Sequence, residues 1–282
     1  MATSVIVDFH THILPPSFRD HRTEVAARDA TFAALFGAGD APMASAEELI
    51  EAMDADGVDA SVVLGYGWCD PDVGREANDY LLDAASRHPG RIVPFCSLHP
   101  AWGDRALREL ERCVVGGARG IGELHPTSQR LRLATGRGLA AVMEMAIERG
   151  LPVVVHGSEP VGHAYAGKGT THPEELLAFI GRFPQARIVA AHWGGGLPFY
   201  ALMPEVRETL ANAYFDSAAS PFLYEQEVFS TVVRTVGVKH VLFGSDFPLV
   251  RARRVAEQAI AMLKPVDAAA VLGGNAQALL GL

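Results

Sequence analysis

The feature that most constrains this chain is an alternation, repeated eight times, of a short apolar strand with a helical stretch. After a first strand at 4–12, strands are predicted over 58–64, 91–96, 118–124, 151–156, 187–192, 213–216 and 239–243. Helices are predicted over 74–87, 104–114, 138–149, 173–182, 197–210, 222–236, 251–263 and 266–280. Strands that are apolar throughout, rather than at every second residue, need cover on both faces, which is the situation of a parallel sheet flanked by helices. Eight such units in 282 residues, with hydrophobic residues at 49%, favour one closed (β/α)8 barrel, the TIM-barrel architecture, spanning 1–282 as a single α/β domain. An open doubly wound sheet is disfavoured, because no Gly-x-Gly-x-x-Gly leads from a strand into a helix. One interval breaks the rhythm: residues 13–45 separate the first strand from a helix start at Ser45-Ala46-Glu47-Glu48, whose Ser and Glu spacing is that of a capping box. A connection that long, beginning at the end of the first strand, is expected to sit over the strand ends as a lid.

In such a barrel the C-terminal strand ends share one mouth, so the residues that end the strands carry the information. Side chains alternate along a strand, so Asp8, His10 and His12 project to one side, and two imidazoles leave the first strand together. The fourth strand ends with Glu123, the fifth with His156, the sixth with His192, the seventh with Asp216, and the eighth leads into Asp246. Apolar strands have no structural need to end this way. Imidazoles and carboxylates are ligands for a borderline divalent cation, and His10, His12, His156 and Asp246 supply such a set, which Zn²⁺ suits best.

The ordered pattern Asp8-Phe9-His10-Thr11-His12, His156, His192-Trp193-Gly194-Gly195 and Gly244-Ser245-Asp246-Phe247-Pro248 resembles the amidohydrolase superfamily. It is most similar to the amidohydrolase-related branch, which also contains aminocarboxymuconate-semialdehyde decarboxylase. The resemblance runs to the final Gly274-Asn275-Ala276 helix. It implies that His10, His12 and His156 bind metal, that His192 polarises substrate or orients water, and that Asp246 is both a ligand and a proton-transfer group. Many members bridge two metals with a carboxylated lysine from the fourth strand, but Lys168, Lys239 and Lys264 are the only lysines and none lies there. Glu123 occupies that strand end, as a ligand glutamate does in TatD-like deoxyribonucleases. It either helps hold a second ion beside the first or contacts substrate or a ligand histidine.

A divalent ion lowers the pKa of its water toward about 7, so the leading expectation is a metal-dependent hydrolase that cleaves an amide, lactone or ester bond in a small molecule. In that scheme Asp246 carries the proton and His192 stabilises the oxyanion. The alternative expectation is a nonoxidative decarboxylase of a small unsaturated or aromatic acid. Around the mouth, Tyr165 and Lys168 are candidate substrate contacts on the loop after His156, although a solvated loop is the competing reading. Trp193 is either an apolar wall of the pocket or a packed aromatic beneath the loops, and His125 is expected to line the pocket. Arg19, Arg22 and Arg28 of the lid either clamp a substrate carboxylate or lie on the surface. Asp216 holds a neighbouring ligand or caps a loop, and Asp8 is read as a supporting carboxylate.

A net charge of −9 without a basic run argues against nucleic-acid and anionic-membrane partners. Three cysteines, Cys69, Cys96 and Cys113, without a Cys-x-x-Cys pair fit a reducing cytoplasm, and neither a signal-type start nor a membrane-length apolar run is present. Phe32, Leu35 and Phe36, read as exposed on the lid, offer a surface for a homodimer.

Overall fold

The computed structural model describes residues 5–165 and 167–282. Strands β1 (Val7–His12), β2 (Ala60–Leu64) and β3 (Ile92–Pro94) pair in order, as do β4 (Ile121–Leu124), β5 (Val153–Val155), β6 (Ile188–Ala190), β7 (Ala213–Asp216) and β8 (Val241–Leu242). Every pairing is parallel. Two seams close the ring. A bridge between Cys96 and Ile121 joins the β3 and β4 sides. At the other seam the amides of Phe9 and His12 donate to the carbonyls of Phe243 and Phe247. The result is the (β/α)8 barrel, closed by these two seams.

The outer layer comprises α1 (Pro16–Asp20), α2 (Arg22–Arg28), α3 (Ala30–Phe36), α4 (Ala46–Asp56), α5 (Pro71–Arg87), α6 (Asp104–Val115) and α7 (Leu139–Arg149). It continues with α8 (Pro173–Arg182), α9 (Pro204–Thr209), α10 (Ser220–Leu223), α11 (Val228–Val236), α12 (Ala252–Met262), α13 (Pro265–Ala269) and α14 (Asn275–Leu280). The capping box at α4 forms as its spacing predicts: the Ser45 hydroxyl accepts from the Glu48 amide at 3.2 Å, and Glu48 accepts from the Ser45 amide at 2.6 Å. None of these helices is long and apolar enough to cross a membrane.

Three predicted helices are broken, each for a local reason. The stretch 197–210 divides because Pro204 keeps Met203 extended, so only α9 is regular there. The stretch 222–236 divides into α10 and α11 at Tyr224, which is extended. The last helix is interrupted by a wide turn over Ala270–Gly274, where Gly273 lies against the backbone of Val5; a Cβ there would fall 1.9 Å from the Val5 carbonyl oxygen.

The segment between β1 and α4 buries its own apolar side. Phe32 and Phe36 are 0% and 3% exposed, packed with Leu14, Phe18 and Trp68. This corrects the expectation that Phe32 and Phe36 are exposed on the lid; Leu35 between them is half-buried. The spacing of Phe32 and Phe36 is that of one helical face, and that face turns toward the barrel rather than toward a partner.

Candidate active site

The polar strand ends converge at the C-terminal mouth. His10 and His12 leave β1 on one side, and their Nε2 atoms stand 3.1 Å apart. The other ring nitrogens are fixed. His10 Nδ1 lies 2.9 Å from Asp216 Oδ2, and His12 Nδ1 lies 3.0 Å from the Leu64 carbonyl oxygen. Each acceptor takes the Nδ1 proton and leaves the Nε2 lone pair facing the centre. Asp246 Oδ1 completes one donor group, at 3.5 Å from His12 Nε2 and 3.9 Å from His10 Nε2. His10, Glu123 and His192 form a second donor group that shares His10.

Two facing lone pairs this close repel unless a cation or a proton lies between them. Tetrahedral Zn²⁺ with nitrogen ligands at its usual bond length spaces them about 3.3 Å apart, so the observed separation suits a shared ion. The donor chemistry and spacing therefore fit a divalent metal, with His10, His12 and Asp246 as its holders. The same carboxylates that would balance a metal's charge also favour a proton on His10. Burial works against charging His10, but Asp216, Glu123 and Asp246 overcome it and raise its pKa to about 9. His12, buried beside His10, falls to about 4.

Asp216 settles its two alternatives by filling both roles. Besides holding His10, its Oδ1 accepts from the amides of His192 at 3.0 Å and Ala218 at 3.1 Å. Asp8 is a supporting carboxylate, accepting from the Ser245 amide at 2.9 Å, and burial raises its pKa to about 7.

His192 begins a turn of five left-handed residues, with φ of 55° and 57° at His192 and Trp193 followed by Gly194, Gly195 and Gly196. Glycine is required at Gly195, where a Cβ would sit 2.2 Å from the Ser158 carbonyl oxygen. The turn aims the His192 ring into the cavity, with Nδ1 3.2 Å from the Ala218 carbonyl oxygen and Nε2 3.5 Å from Glu123 Oε1. Burial pushes the His192 pKa down, but the Glu123 contact and the charges of Asp246, Glu123 and Asp216 carry it up to about 10. Glu123 is the hub: burial disfavours its charge, yet His156, His192 and His10 hold its carboxyl well below the usual range.

Several predicted residues take other positions. His156 reaches the mouth but joins neither donor group: its Nδ1 is 3.0 Å from Glu123 Oε1 and its Nε2 is 3.1 Å from the Lys168 carbonyl oxygen. The loop after β5 folds back and places that carbonyl against the ring. Lys168 is not among the cavity-lining residues; its ammonium donates to the carbonyls of Val161 and His163 at 2.7 and 2.9 Å and so braces its own loop. Trp193 does not line the cavity; it is fully buried, donates to Ser220 Oγ at 3.0 Å and packs edge-on against Phe229. Arg19 and Arg28 pair with Glu48 and Glu76 at the surface, and Arg22 donates to the Phe36 carbonyl.

Tyr165 and His125 do line the cavity, as expected. Tyr165 donates to Glu159 Oε2 at 3.2 Å, and His125 stacks on His156 with ring centroids 4.2 Å apart. Burial lowers the His125 pKa to about 4.

Residues that the sequence reading did not assign to the site complete the cavity, whose volume is about 780 Å³. Tyr66 stacks on the His12 ring at 4.1 Å. It follows the end of β2, and the rule applied to the other strands would have found it had Leu64 not ended that strand on an apolar residue. Leu35, Phe36, Phe222 and Leu249 form walls for which no polar signal exists.

Comparison with known proteins agrees with this architecture. The sequence profile of the amidohydrolase family matches residues 7–282. The 2-amino-3-carboxymuconate-6-semialdehyde decarboxylase of Dictyostelium discoideum is 25% identical over 338 residues, covering 99% of this chain and 92% of that protein. The crystal structure of 5-carboxyvanillate decarboxylase from Sphingomonas paucimobilis superposes with a TM-score of 0.80 at 16% identity, covering 99% of this chain and 100% of that one. A dihydroxybenzoic acid decarboxylase from a Polaromonas species, solved with manganese and the inhibitor 2-nitroresorcinol, gives 0.76 at 18% identity, covering 99% and 98%. These relatives overturn the hydrolase expectation. Metal-activated water was inferred from the ligand pattern alone, whereas the curated relative that aligns over 99% of the chain is named as a decarboxylase.

Proposed function

The chain belongs to the amidohydrolase family, and from that premise we propose that it is a metal-dependent carboxy-lyase that removes CO₂ nonoxidatively from a small unsaturated or aromatic carboxylic acid. The observation that carries the reading is the whole-chain alignment with a named decarboxylase, together with a cavity that gathers His12, His192 and Asp246 on its floor. A divalent ion held by His10, His12 and Asp246 would supply positive charge for the substrate carboxylate, and both Zn²⁺ and Mn²⁺ accept imidazole and carboxylate donors.

The chain's own residues supply the rest. His192, held through its Nδ1 contact with Ala218, orients the carboxylate from the floor. Apolar walls exclude water, and a low-polarity surrounding favours neutral CO₂ over the charged acid. The C–C bond to the carboxylate breaks, its electron pair stays on the substrate carbon, and Asp246 delivers a proton to that carbon. The balance is one carboxylate and one proton in, one C–H bond and one CO₂ out, with no oxidant or reductant. Glu123 draws His156 and His192 together and completes the charge balance of the floor. Three free thiols suit a reducing compartment, and we place the reaction in the cytoplasm.

Asp246→Asn tests the assignment. Proton delivery by a positioned side chain contributes about 10²- to 10⁴-fold, so CO₂ release falls by at least about 100-fold at metal content matched by elemental analysis. Undiminished release from this variant would remove Asp246 from the proton path.

A further inference from the structure

Resting on the carboxy-lyase reading, we propose that the cavity selects a monocarboxylic acid with an uncharged, largely apolar body and rejects a second anionic group on that body. On the floor, histidine rings and the ion they would hold meet one carboxylate. Above the floor the walls are Leu35, Phe36, Phe222 and Leu249, and the rim carries the carboxylate of Asp40. Among the described residues no lysine or arginine lines the cavity.

Three basic side chains that contact lining residues are turned to other work. The Lys168 ammonium is spent on two carbonyls of its own loop. Arg22 is tied to the Phe36 carbonyl at 3.0 Å. The Arg254 guanidinium lies 5.2 Å from the Phe222 ring centroid, and Arg254 is not a lining residue. A carboxylate on the far side of the substrate would therefore leave water for apolar walls without a counter-charge, and would face Asp40. Size is not the discriminator, because about 780 Å³ accommodates a body larger than one ring. Charge is.

The test uses a matched pair of acids with one body, 2-naphthoate and naphthalene-2,6-dicarboxylate, titrated calorimetrically into the metal-loaded full chain at pH 8, with CO₂ release followed in the same samples. The monoacid is expected to bind at least about tenfold more tightly, because the second carboxylate faces half-exposed apolar walls and Asp40 with no counter-charge. Leu249→Arg, at a position 51% exposed, places a cation on the wall and is expected to strengthen diacid binding at least about tenfold relative to monoacid binding. Equal affinities, tighter diacid binding, no binding of either acid, or an unchanged ratio in Leu249→Arg would overturn the proposal. Selective binding without CO₂ release from any bound acid supports the selectivity and counts against the carboxy-lyase reading alone, so the two failures are distinguishable.

Discussion

Replacing Asp216 by Asn probes the centre from outside the reacting atoms. The two amides it holds, from His192 and Ala218, both bond Oδ1, which an asparagine oxygen reproduces. What changes is the partner of His10 Nδ1: Oδ2, at 2.9 Å, becomes an NH₂ group. Two donors then face each other, so His10 must move its proton to Nε2, the atom that stands 3.1 Å from His12 Nε2. A protonated nitrogen is no ligand. A hydrogen bond to a charged group contributes about 1.5–3 kcal/mol, which at about 1.4 kcal/mol per decade corresponds to roughly 10- to 100-fold in affinity. That matches the usual loss when the partner of a ligand histidine is removed. The assay is competition between the protein and a metal-indicator chelator, followed by elemental analysis, with Zn²⁺ and Mn²⁺ in turn. The expected result is affinity weakened roughly 10- to 100-fold with the far-ultraviolet dichroism of the wild type. An Asn variant that binds either ion as tightly as the wild type would refute the tautomer argument and the assignment of His10 as a ligand through Nε2.

Two further predictions concern the scaffold. Gly195→Ala combines a φ of +59° with a Cβ 2.2 Å from the Ser158 carbonyl oxygen. It should cost well over about 1 kcal/mol in urea unfolding, and a neutral substitution would contradict the close approach of the two loops. Glu109 is disfavoured as an anion by burial, but hydrogen bonds from Arg112 and Asn78 hold its pKa below the ordinary 4.5. The folded state thus binds fewer protons than the unfolded chain in that range, so the stabilisation is present above pH 4.5 and is lost as pH falls through the lowered value. Urea midpoints at pH 3 and pH 6 should differ less in Glu109→Gln than in the wild type, and an identical pH slope in the variant would contradict the ion pair's role.

The barrel was legible because strand period and apolar continuity are local properties, and the pairing of eight such segments follows from closure. The floor of the site was legible for the same reason: a residue such as Asp216 or His192 that ends a strand inherits its direction from the strand. Beyond the strand ends that inheritance stops. Lys168 and Trp193 lie on loops whose paths depend on contacts distant in sequence, so Lys168 turned back on its own carbonyls and Trp193 turned under Phe229. His156 illustrates the boundary. The strand delivered its ring to the mouth, but the Lys168 carbonyl and Glu123 decided where its nitrogens point. Phe32 and Phe36 were recognisable as an apolar face, but their burial against Phe18 and Trp68 depended on how the segment packs. The reaction itself was not legible from ligand geometry, since the same donors serve hydrolysis and decarboxylation.

The central claim is that this floor releases CO₂ and protonates the carbon left behind. The most direct measurement incubates the metal-reconstituted protein in D₂O with aromatic and unsaturated monocarboxylic acids, following CO₂ by infrared absorption and the product by mass spectrometry. The account predicts stoichiometric CO₂ and one deuterium on the carbon that carried the carboxylate, both formed at least about 100-fold more slowly in Asp246→Asn. Products that retain their carboxyl group, or undiminished CO₂ release in that variant, would contradict it.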